Sequence, residues 1–306
     1  MAIKILKQEK LTWINIDKLD DEALAYLKKN YTFHHLDYED LQGEIQTPKI
    51  DVYKNYLFLV FHFPLWDPIS ERVKSREVDV FMGDGYLITI QHNRSKELKN
   101  FFYRCIKNKK MKTDWMQKGS GFLLYKLIES LFRNTQPIID TIGKQISDLE
   151  NEIYSGEQDT KTVKGLAIHR RNILQFRRIL DPQRYLISNL SHIRKPFLDE
   201  SLVIYFDNIN DYLSKIWSIT DTYRDTIDGL HVTVESLINH RTNKVISALT
   251  VISVSLMPLT LLSGIYGMNI TGLPNAENPK WVWLMFASLL TIVLLVVILM
   301  KKRKWL

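Results

Sequence analysis

Two long uncharged stretches near the end of this 306-residue chain constrain its fold most strongly. No charged side chain occurs from Val245 to Ala276, and none occurs from Trp281 to Met300. About 20 apolar residues in a helix, at ~1.5 Å per residue, span the ~30 Å hydrocarbon core of a bilayer. Each stretch is therefore predicted to be a transmembrane helix, with a short polar segment between the two.

Basic residues flanking the two stretches predict their orientation. His240, Arg241 and Lys244 precede the first stretch, and Lys301-Lys302-Arg303-Lys304 follow the second, whereas the connecting segment has one Glu and one Lys. The positive-inside tendency then places both termini in the cytoplasm and the loop outside. The first residues lack the apolar core of a signal peptide. We therefore expect a multi-pass protein of the cell (inner) membrane, with everything before Arg241 in the cytoplasm.

Most of the charge lies before the first stretch. The chain has 41 basic and 34 acidic residues, and only six of them lie at or beyond Val245. The net charge of +7 fits a membrane surface, and no nucleic-acid-binding motif accompanies it. With Cys105 as its one cysteine, the chain has no disulfide framework. It also has no Gly-rich phosphate loop and no paired nucleophile and base, so we predict neither nucleic-acid binding nor an enzyme.

The first hundred residues have the pattern of a mixed α/β domain. Strands are predicted over 11–16 and 56–63, the second being so apolar that it should lie inside the sheet. Residues 77–82 and 86–91 are predicted to form a hairpin around Gly83-Asp84-Gly85, because Asp-Gly favours the positive φ of tight turns. Helices are expected over 20–29 and 96–107, with one or two helical turns over 34–41.

Long helices are predicted from about Gly119 onward. Apolar residues spaced three and four apart indicate a helix over 122–154 and another over 160–180 that ends near Asp181-Pro182. No convincing helix stop follows between about Ser201 and Gly267, so a helix of about 65 residues and ~100 Å is expected. Because this length exceeds a membrane, its first two-thirds are interpreted as a cytoplasmic stalk and its last third as the first span.

One line of residues along this helix has a 3,4 spacing, which keeps one face turned toward a common axis. Leu249 lies beside this line, which comprises Asn243, Ile246, Thr250, Ser253, Met257, Thr260 and Gly264. The line could be a helix–helix seam in which small residues allow close approach. It could equally line a pore, with polar rings separated by hydrophobic constrictions at Leu249 and Met257. Two spans cannot enclose a channel alone, so a pore requires a symmetric oligomer.

The segment Tyr266-Gly267-Met268-Asn269, after Met257-Pro258-Leu259-Thr260 and with Asn243 upstream, resembles the CorA family of magnesium channels. The resemblance covers the chain from its first domain to its basic end. It implies an α+β architecture: an N-terminal cytoplasmic α/β domain, a long stalk helix continuing into a pore-lining transmembrane helix, and a second transmembrane helix at the C-terminus. The implied assembly is a funnel-shaped homopentamer embedded in membrane lipids.

On this basis the chain divides into segments. The predicted boundaries are 1–118 for the cytoplasmic α/β domain, 119–200 for a cytoplasmic helical hairpin, 201–244 for the stalk, 245–268 for the pore-lining span, 269–280 for the outer loop, 281–300 for the second span and 301–306 for the basic cytoplasmic tail.

The resemblance also implies a selectivity filter at Gly267, Met268 and Asn269. A ring of Asn269 amide oxygens could hydrogen-bond the water shell that Mg²⁺ gives up reluctantly, and Gly267 would permit the turn that directs the ring inward. A helix C-cap is the alternative role for Asn269. By the same resemblance, pore and gate positions fall on Asn243, Leu249, Met257 and Thr260.

Regulatory Mg²⁺ sites between neighbouring cytoplasmic domains are the second implication. The matching positions are Glu39, Asp40, Glu129, Asp207, Asn208 and Asp211. Asn208 stands where the family's usual Asp aligns, and an amide binds Mg²⁺ more weakly than a carboxylate. An inhibitory site here is therefore expected to be weaker, shifted to a neighbouring Asp, or absent. Each of these acids could also be an ordinary solvated carboxylate.

The resemblance thus predicts a passive, voltage-driven channel for Mg²⁺ influx that is gated by intracellular Mg²⁺, with Mg²⁺ as both cargo and regulator. Co²⁺ and Ni²⁺ could also permeate. A zinc transporter of the same superfamily, similar to ZntB, is the alternative within transport. A membrane-anchored sensor or scaffold, whose helices only oligomerise, is the alternative from another class. The hydroxyl groups along the 3,4-spaced line argue against a scaffold.

Overall fold

The computed structural model describes residues 3–43, 45–92, 95–155, 160–269 and 278–302. Its strands are β1 Ile3–Gln8, β2 Leu11–Ile16, β3 Lys49–Val52, β4 Tyr56–Asp67, β5 Arg72–Gly83 and β6 Tyr86–Gln91. Its helices are α1 Asp21–Asn30, α2 His35–Gln42, α3 Lys96–Lys107, α4 Lys109–Met116, α5 Ser120–Arg133, α6 Gln136–Ser155, α7 Thr160–His192, α8 Val203–Tyr266 and α9 Pro279–Lys302. The chain divides into two compact units, Met1–Leu230 and His231–Leu306.

Within the described residues of the first unit, the strands form one sheet in the order β1-β2-β6-β5-β4-β3. The β2–β6 pair is parallel and the other pairs are antiparallel. The predicted hairpin is confirmed: Gly83 pairs with Tyr86, and Gly85 has φ +75°. A Cβ on Gly85 would lie 3.0 Å from the Lys10 carbonyl oxygen. Both the positive φ and this close approach favour glycine at the turn.

Helices cover both faces of the sheet, because side chains alternate between faces along each strand. On one face, Ile14 and Phe81 form a core with α1 and α2 through residues such as Leu27. On the other face, the Trp13 ring lies 4.7 Å from that of Phe102 on α3. The predicted α/β domain is therefore confirmed, with the sheet between two helical layers.

The predicted strands and short helices of this domain are present, and three further elements were not predicted. β4 has a strand on each side, as its apolar sequence indicated, although it continues to Asp67. The additional elements are β1, β3 and α4. β3 is a four-residue edge strand, and so short a segment has too few residues for its alternation to be recognised.

The single helix predicted over 122–154 is wrong, because the chain leaves the helix between α5 and α6. The Thr135 hydroxyl donates to the Phe132 carbonyl at 2.6 Å, which satisfies a group at the end of α5. Pro137 then sits in the first turn of α6, where its missing N–H costs nothing. The apolar 3,4 spacing continues across this break, so periodicity alone conceals it.

The end predicted for the next helix near Asp181-Pro182 is also wrong. α7 continues through Pro182 to His192. A proline inside a helix costs ~3 kcal/mol or more. Leu186, Ile187 and Leu190, which follow it, are buried, and burying each such side chain contributes about 1.5–3 kcal/mol. Packing beyond the proline therefore outweighs the lost hydrogen bond.

α8 is a continuous helix of 64 residues, which confirms the predicted long helix. Before residue 231 one of its faces is buried through Phe206, Ile209, Leu213 and Ile216. It is tied to α7 by an ion pair between Arg177 and Asp221. Arg177 also stacks 4.0 Å above the Trp217 ring.

Among the described residues, α8 and α9 each contain an apolar window long enough to cross a membrane. Almost none of either window is buried within the chain. Together with the sheet domain and the long helix α8, α9 completes the predicted order of elements within one chain.

Candidate ion pathway and regulatory site

The 3,4-spaced line on α8 is exposed along its whole length. Leu249 is 63% exposed and Met257 is 72% exposed. The other members of the line are also exposed: Asn243, Ile246, Thr250, Ser253, Thr260 and Gly264. The described part of one chain therefore leaves this surface uncovered.

A second line on α8 is less exposed and lies on nearly the opposite side of the helix. It comprises Val251, Ser255, Pro258, Leu259, Leu262 and Tyr266. At about 100° per residue the two lines point roughly 160° apart. The Tyr266 hydroxyl lies 4.0 Å from the Met285 sulfur of α9. α9 thus approaches the second line, and the 3,4-spaced line faces away from it.

Two hydroxyl groups on the exposed line are held by the helix itself. Thr250 Oγ1 donates to the Ile246 carbonyl at 2.8 Å, and Thr260 Oγ1 donates to the Leu256 carbonyl at 3.0 Å. Since each hydroxyl proton is used within the helix, its oxygen presents acceptor lone pairs outward. Outward acceptors suit the water shell of a cation.

The Gly-Met-Asn segment directly follows the end of α8. The Gly267 N–H donates to the Ser263 carbonyl at 2.9 Å, and the Met268 N–H donates to the Ile265 carbonyl at 3.3 Å. A Cβ on Gly267 would lie 2.9 Å from the Ser263 oxygen. Glycine is therefore favoured here by its close approach to the helix end, and Gly267 does not have a positive φ.

Asn269 is exposed and lies three residues beyond the last residue of α8. The backbone bonds that close the helix come from Gly267 and Met268. The amide of Asn269 therefore stands past the turn, beside the exposed Met268. The outer-loop prediction falls mostly on 270–277, and the tail prediction partly on 303–306; both ranges lie outside the described residues.

Asp40, one of the regulatory candidates, already has a cationic partner. Lys49 Nζ lies 2.6 Å from both Asp40 and Asp51. Burial disfavours the ammonium, but the hydrogen bonds to the two carboxylates outweigh that effect and raise the pKa of Lys49. Asp37 completes this acidic cluster. The ammonium of Lys49, which is part of the chain itself, therefore already pairs with Asp40 and Asp51.

Asp37 itself is fully buried. It accepts hydrogen bonds from the hydroxyls of Tyr53 and Tyr56 at 2.7 and 2.6 Å. Burial, together with the neighbouring carboxylate, raises the pKa of both phenols. Asp37 therefore holds α2 against β4 rather than offering a ligand to solvent.

Glu129 on α5 is paired as well. Its carboxylate lies 3.1 Å from Lys126 Nζ and 3.2 Å from the Arg133 guanidinium. Burial alone would raise the pKa of Glu129, but the hydrogen bond and charge of Lys126 outweigh burial and lower it. The carboxylate stays ionised, and two cations already neutralise it.

The remaining regulatory candidates are open to solvent. Glu39, Asp207, Asn208 and Asp211 are all exposed. Asp207 and Asp211 are four residues apart on α8, so they share one face of the helix. The described part of one chain contains two groups of acidic or histidine side chains close enough to hold a metal ion. Neither group includes Glu39, Glu129 or the three α8 residues.

Those two groups are Asp37 with Asp40 and Asp51, and Glu77 with Asp79 and His92. Sequence reasoning did not find the second group. Glu77 and Asp79 lie on β5 and His92 directly follows β6, so only the register of the sheet brings His92 to the two acids. The alternation of charged and apolar residues at Glu77-Val78-Asp79 was the available signal, since it places two acids on one face of a buried strand.

Comparison with known proteins identifies the family. The family described as "CorA-like Mg2+ transporter protein" matches residues 8–302. The chain belongs to the CorA family. It is 27% identical over 299 residues to the cobalt/magnesium transport protein CorA of Thermotoga maritima, an alignment that covers 96% of this chain and 83% of that protein.

Other known proteins are similar to the chain over nearly the same length. The chain is 21% identical to the zinc transport protein ZntB of Yersinia pseudotuberculosis, covering 96% of this chain and 88% of that one. The solved structure of the CorA magnesium transporter of Methanocaldococcus jannaschii has a TM-score of 0.84 at 21% identity, covering 98% and 93% of the two chains. The fold is therefore that of CorA. The chain is a divalent-cation transporter of this family and not an enzyme.

Proposed function

We propose that this protein is a channel for Mg²⁺ influx. Its pathway is lined by the exposed 3,4-spaced line of α8, and Gly267, Met268 and Asn269 form the selectivity filter at its outer end. The observation that carries the proposal is the direction of that line. Its polar and apolar residues face away from α9 and are uncovered in one chain. A surface of alternating hydroxyls and bulky apolar groups suits a water-filled path with hydrophobic constrictions.

The chemistry of the filter favours a hydrated divalent ion. Mg²⁺ dehydrates reluctantly and keeps several waters in most protein sites. The amide oxygen of Asn269 is a neutral acceptor that can hydrogen-bond those waters without replacing them. The charge-free interval from Val245 to Ala276 likewise offers no carboxylate that would bind the bare ion tightly. A neutral path binds weakly, and weak binding favours conduction.

A pathway of this kind requires several copies of the chain. Two spans cannot enclose water, so a symmetric ring must do so. We propose the homopentamer implied by the family resemblance, with α8 innermost and α9 toward the lipid. Most apolar side chains of α9 are exposed, among them Leu284, Leu295 and Ile298, which supports a lipid-facing position. The basic residues flanking both spans support an inner-membrane protein with both termini in the cytoplasm.

Intracellular Mg²⁺ is proposed to regulate the channel through acids of the cytoplasmic domain. The exposed carboxylates Glu39, Asp207 and Asp211 could hold Mg²⁺ jointly with a neighbouring subunit, where the ion would cancel their mutual repulsion. Asp40 and Glu129 contribute less, because Lys49 and Lys126 already neutralise them. With Asn208 in place of a carboxylate, the inhibitory site is expected to be weak.

The decisive experiment measures ion flux into liposomes that contain the purified full-length protein. Mg²⁺ and Zn²⁺ are compared as cargo at fixed membrane potential, with and without a proton gradient. Mg²⁺ uptake that follows the potential is expected. Absence of flux for both ions would rule out a channel and leave the scaffold alternative. Zn²⁺ uptake that needs a proton gradient would favour a ZntB-like transporter.

Regulation is tested in the same liposomes by varying the internal Mg²⁺ concentration. Asp40 and Asp207 are neutralised together as Asp40→Asn and Asp207→Asn, and the block by internal Mg²⁺ should be relieved. An unchanged block would remove both residues from the regulatory site. Asp228→Asn is a matched control, because that residue is also an exposed α8 aspartate but pairs with Arg170.

A further inference from the structure

Four titratable side chains meet on one face of the sheet, away from the acids considered above. β4 and β5 pair so that His62 is directly opposite Glu77. His92 directly follows β6, next to Gln91, which pairs with Val78. It is therefore the lateral neighbour of Glu77 on the other side. Asp79 is two residues along β5 and so points to the same face.

The donor atoms of this group lie at metal-ligand spacing. His92 Nε2 is 2.9 Å from Asp79 Oδ2 and 3.5 Å from Glu77 Oε1. One ligand atom each from Glu77, Asp79 and His92 fall within 4.8 Å of one another. Four ligands at ~2.0–2.1 Å from a tetrahedral metal lie roughly 3.3 Å apart. The observed spacings bracket that value.

The two carboxylates are buried, and each has an oxygen without a hydrogen bond. The side chain of Glu77 is 3% exposed and that of Asp79 is 2% exposed. Among the described residues, Glu77 Oε1 and Asp79 Oδ1 have no hydrogen-bond partner. Buried polar atoms are almost always satisfied. Two such atoms, with Glu77 Oε1 directed toward His92, indicate a ligand between them.

The other oxygen of Glu77 is anchored, which fixes the direction of the free one. Glu77 Oε2 accepts from the Gln46 backbone N–H at 3.1 Å and lies 3.5 Å from His62 Nε2. Outer partners that orient a metal ligand are typical of metal sites. Here the Gln46 N–H donates the hydrogen bond, and His62 Nε2, which has no hydrogen-bond partner itself within the described part of the chain, lies beside the same oxygen. The His92 side chain is 25% exposed, which leaves a route from solvent to the donors.

A cation would relieve the electrostatic cost of this arrangement. Glu77 and Asp79 are both buried and lie on the same face of β5, so two carboxylates share a site of low polarity. In the group around Asp37, Lys49 supplies the positive charge. No lysine or arginine among the described residues forms an ion pair with Glu77 or Asp79, and the basic side chains nearest to them are the two histidines.

We propose that Glu77, Asp79 and His92 bind a transition-metal dication of the Zn²⁺ class, with His62 orienting Glu77. Two carboxylates and an imidazole suit Zn²⁺ or Co²⁺, whereas Mg²⁺ prefers six oxygens and keeps its waters. Three protein ligands leave a fourth position for water. The site is separate from the proposed ion pathway, because its ligands are on the sheet of the first unit and not on α8 or α9.

The test is Zn²⁺ titration calorimetry on the metal-free full-length protein in detergent. The wild-type protein should bind one more Zn²⁺ per chain than His92→Ala, and a hundredfold excess of Mg²⁺ should not displace it. Glu77→Gln should lose the same ion. His62→Ala should retain it with an affinity lowered by about 10- to 100-fold, as for residues that orient ligands. Asp51→Asn, in the other acidic group, is the matched control and should bind Zn²⁺ as the wild type does.

Equal Zn²⁺ stoichiometry and affinity in the wild type, His92→Ala and Glu77→Gln would overturn the proposal, and so would displacement by Mg²⁺. X-ray absorption spectroscopy of the Zn²⁺-loaded wild type keeps the test independent of whether the variants fold. Scattering from imidazole around the zinc ion is expected in wild-type protein loaded with one equivalent of Zn²⁺. A first shell of oxygens alone would also overturn the proposal. Neither result depends on whether the protein conducts Mg²⁺.

Discussion

The two halves of α8 bury their apolar side chains to very different extents. Before residue 231, one face is buried within the first unit, as Phe206 and Leu213 show, and the other faces carry charge. After Val245 the helix has no charge, and residues such as Leu249 and Met257 are exposed. One chain thus completes the first half but not the second. In the proposed channel, lipid and neighbouring copies of the chain cover the second half.

The largest effect that tests this contrast is on stability. Phe58→Ala removes a fully buried ring from the sheet and should lower the free energy of unfolding by about 3–5 kcal/mol. Leu295→Ala, at a side chain that is 55% exposed on α9, should change it by about 0.5 kcal/mol or less. Denaturant unfolding in detergent measures both. Equal losses would show that α9 is packed against protein as tightly as the sheet is.

The next largest effect concerns the outer end of α8. Asn269→Ala should reduce selective Mg²⁺ flux by at least about 100-fold. The substitution removes the whole ring of amides, and the loss of three hydrogen bonds of about 1 kcal/mol each already corresponds to that factor. Liposome flux assays measure the change. Asn278→Ala, at an amide next to α9, is the control and should conduct normally. Full flux in Asn269→Ala would show that the filter is elsewhere.

A smaller effect is expected at the constriction. Met257→Ser should raise flux at high internal Mg²⁺ by about tenfold, because a wetted hydroxyl removes a hydrophobic barrier. Ile252→Ser is the matched control: Ile252 is also exposed on α8 but points about 140° away at ~100° per residue. An equal rise in flux in both variants would show that the face of α8 that carries Met257 does not line the ion pathway.

An effect of about the same size is expected when the regulatory acids lose the lysine that pairs with them. Lys49→Met leaves Asp40 and Asp51 without their shared partner, so internal Mg²⁺ should bind there more readily. The Mg²⁺ concentration for half-block should fall by roughly tenfold, equivalent to about 1.4 kcal/mol, within the range of a charge-assisted pair. Lys54→Met, at an exposed lysine nearby, should leave the block unchanged. An identical block in Lys49→Met would show that Asp40 has no regulatory role.

The fold was largely predictable because its strongest signals are long and periodic. The charge-free interval after Val245 and the absence of a helix stop from Ser201 predicted α8 and its apolar half. Local chemistry overrode periodicity at two positions. Thr135 ends α5 with a side-chain hydrogen bond. In α7, burial of the residues after Pro182 offsets the cost of the proline, so the helix continues past it. Of these, the Asn134-Thr135-Gln136-Pro137 segment was a recognisable stop signal.

The candidate sites were less predictable, because they depend on which residues become neighbours. Asn269 could be identified from a contiguous motif. The partner of Asp40 could not, since Lys49 is brought to it only when β3 pairs with β4. His62 and His92 are 30 residues apart in the sequence and flank Glu77 only through the register of three strands. Single-sequence patterns predict faces and lengths, whereas strand registry determines these contacts.

Lys49 has one further consequence for a protein that handles cations. Its ammonium is covalently attached beside Asp40 and Asp51, and short tethers give effective concentrations of roughly millimolar or above. A chelator cannot extract this cation, and dilution cannot remove it. The positive charge at this edge of the sheet is therefore supplied by the polypeptide itself. It does not depend on the Mg²⁺ concentration of the cell.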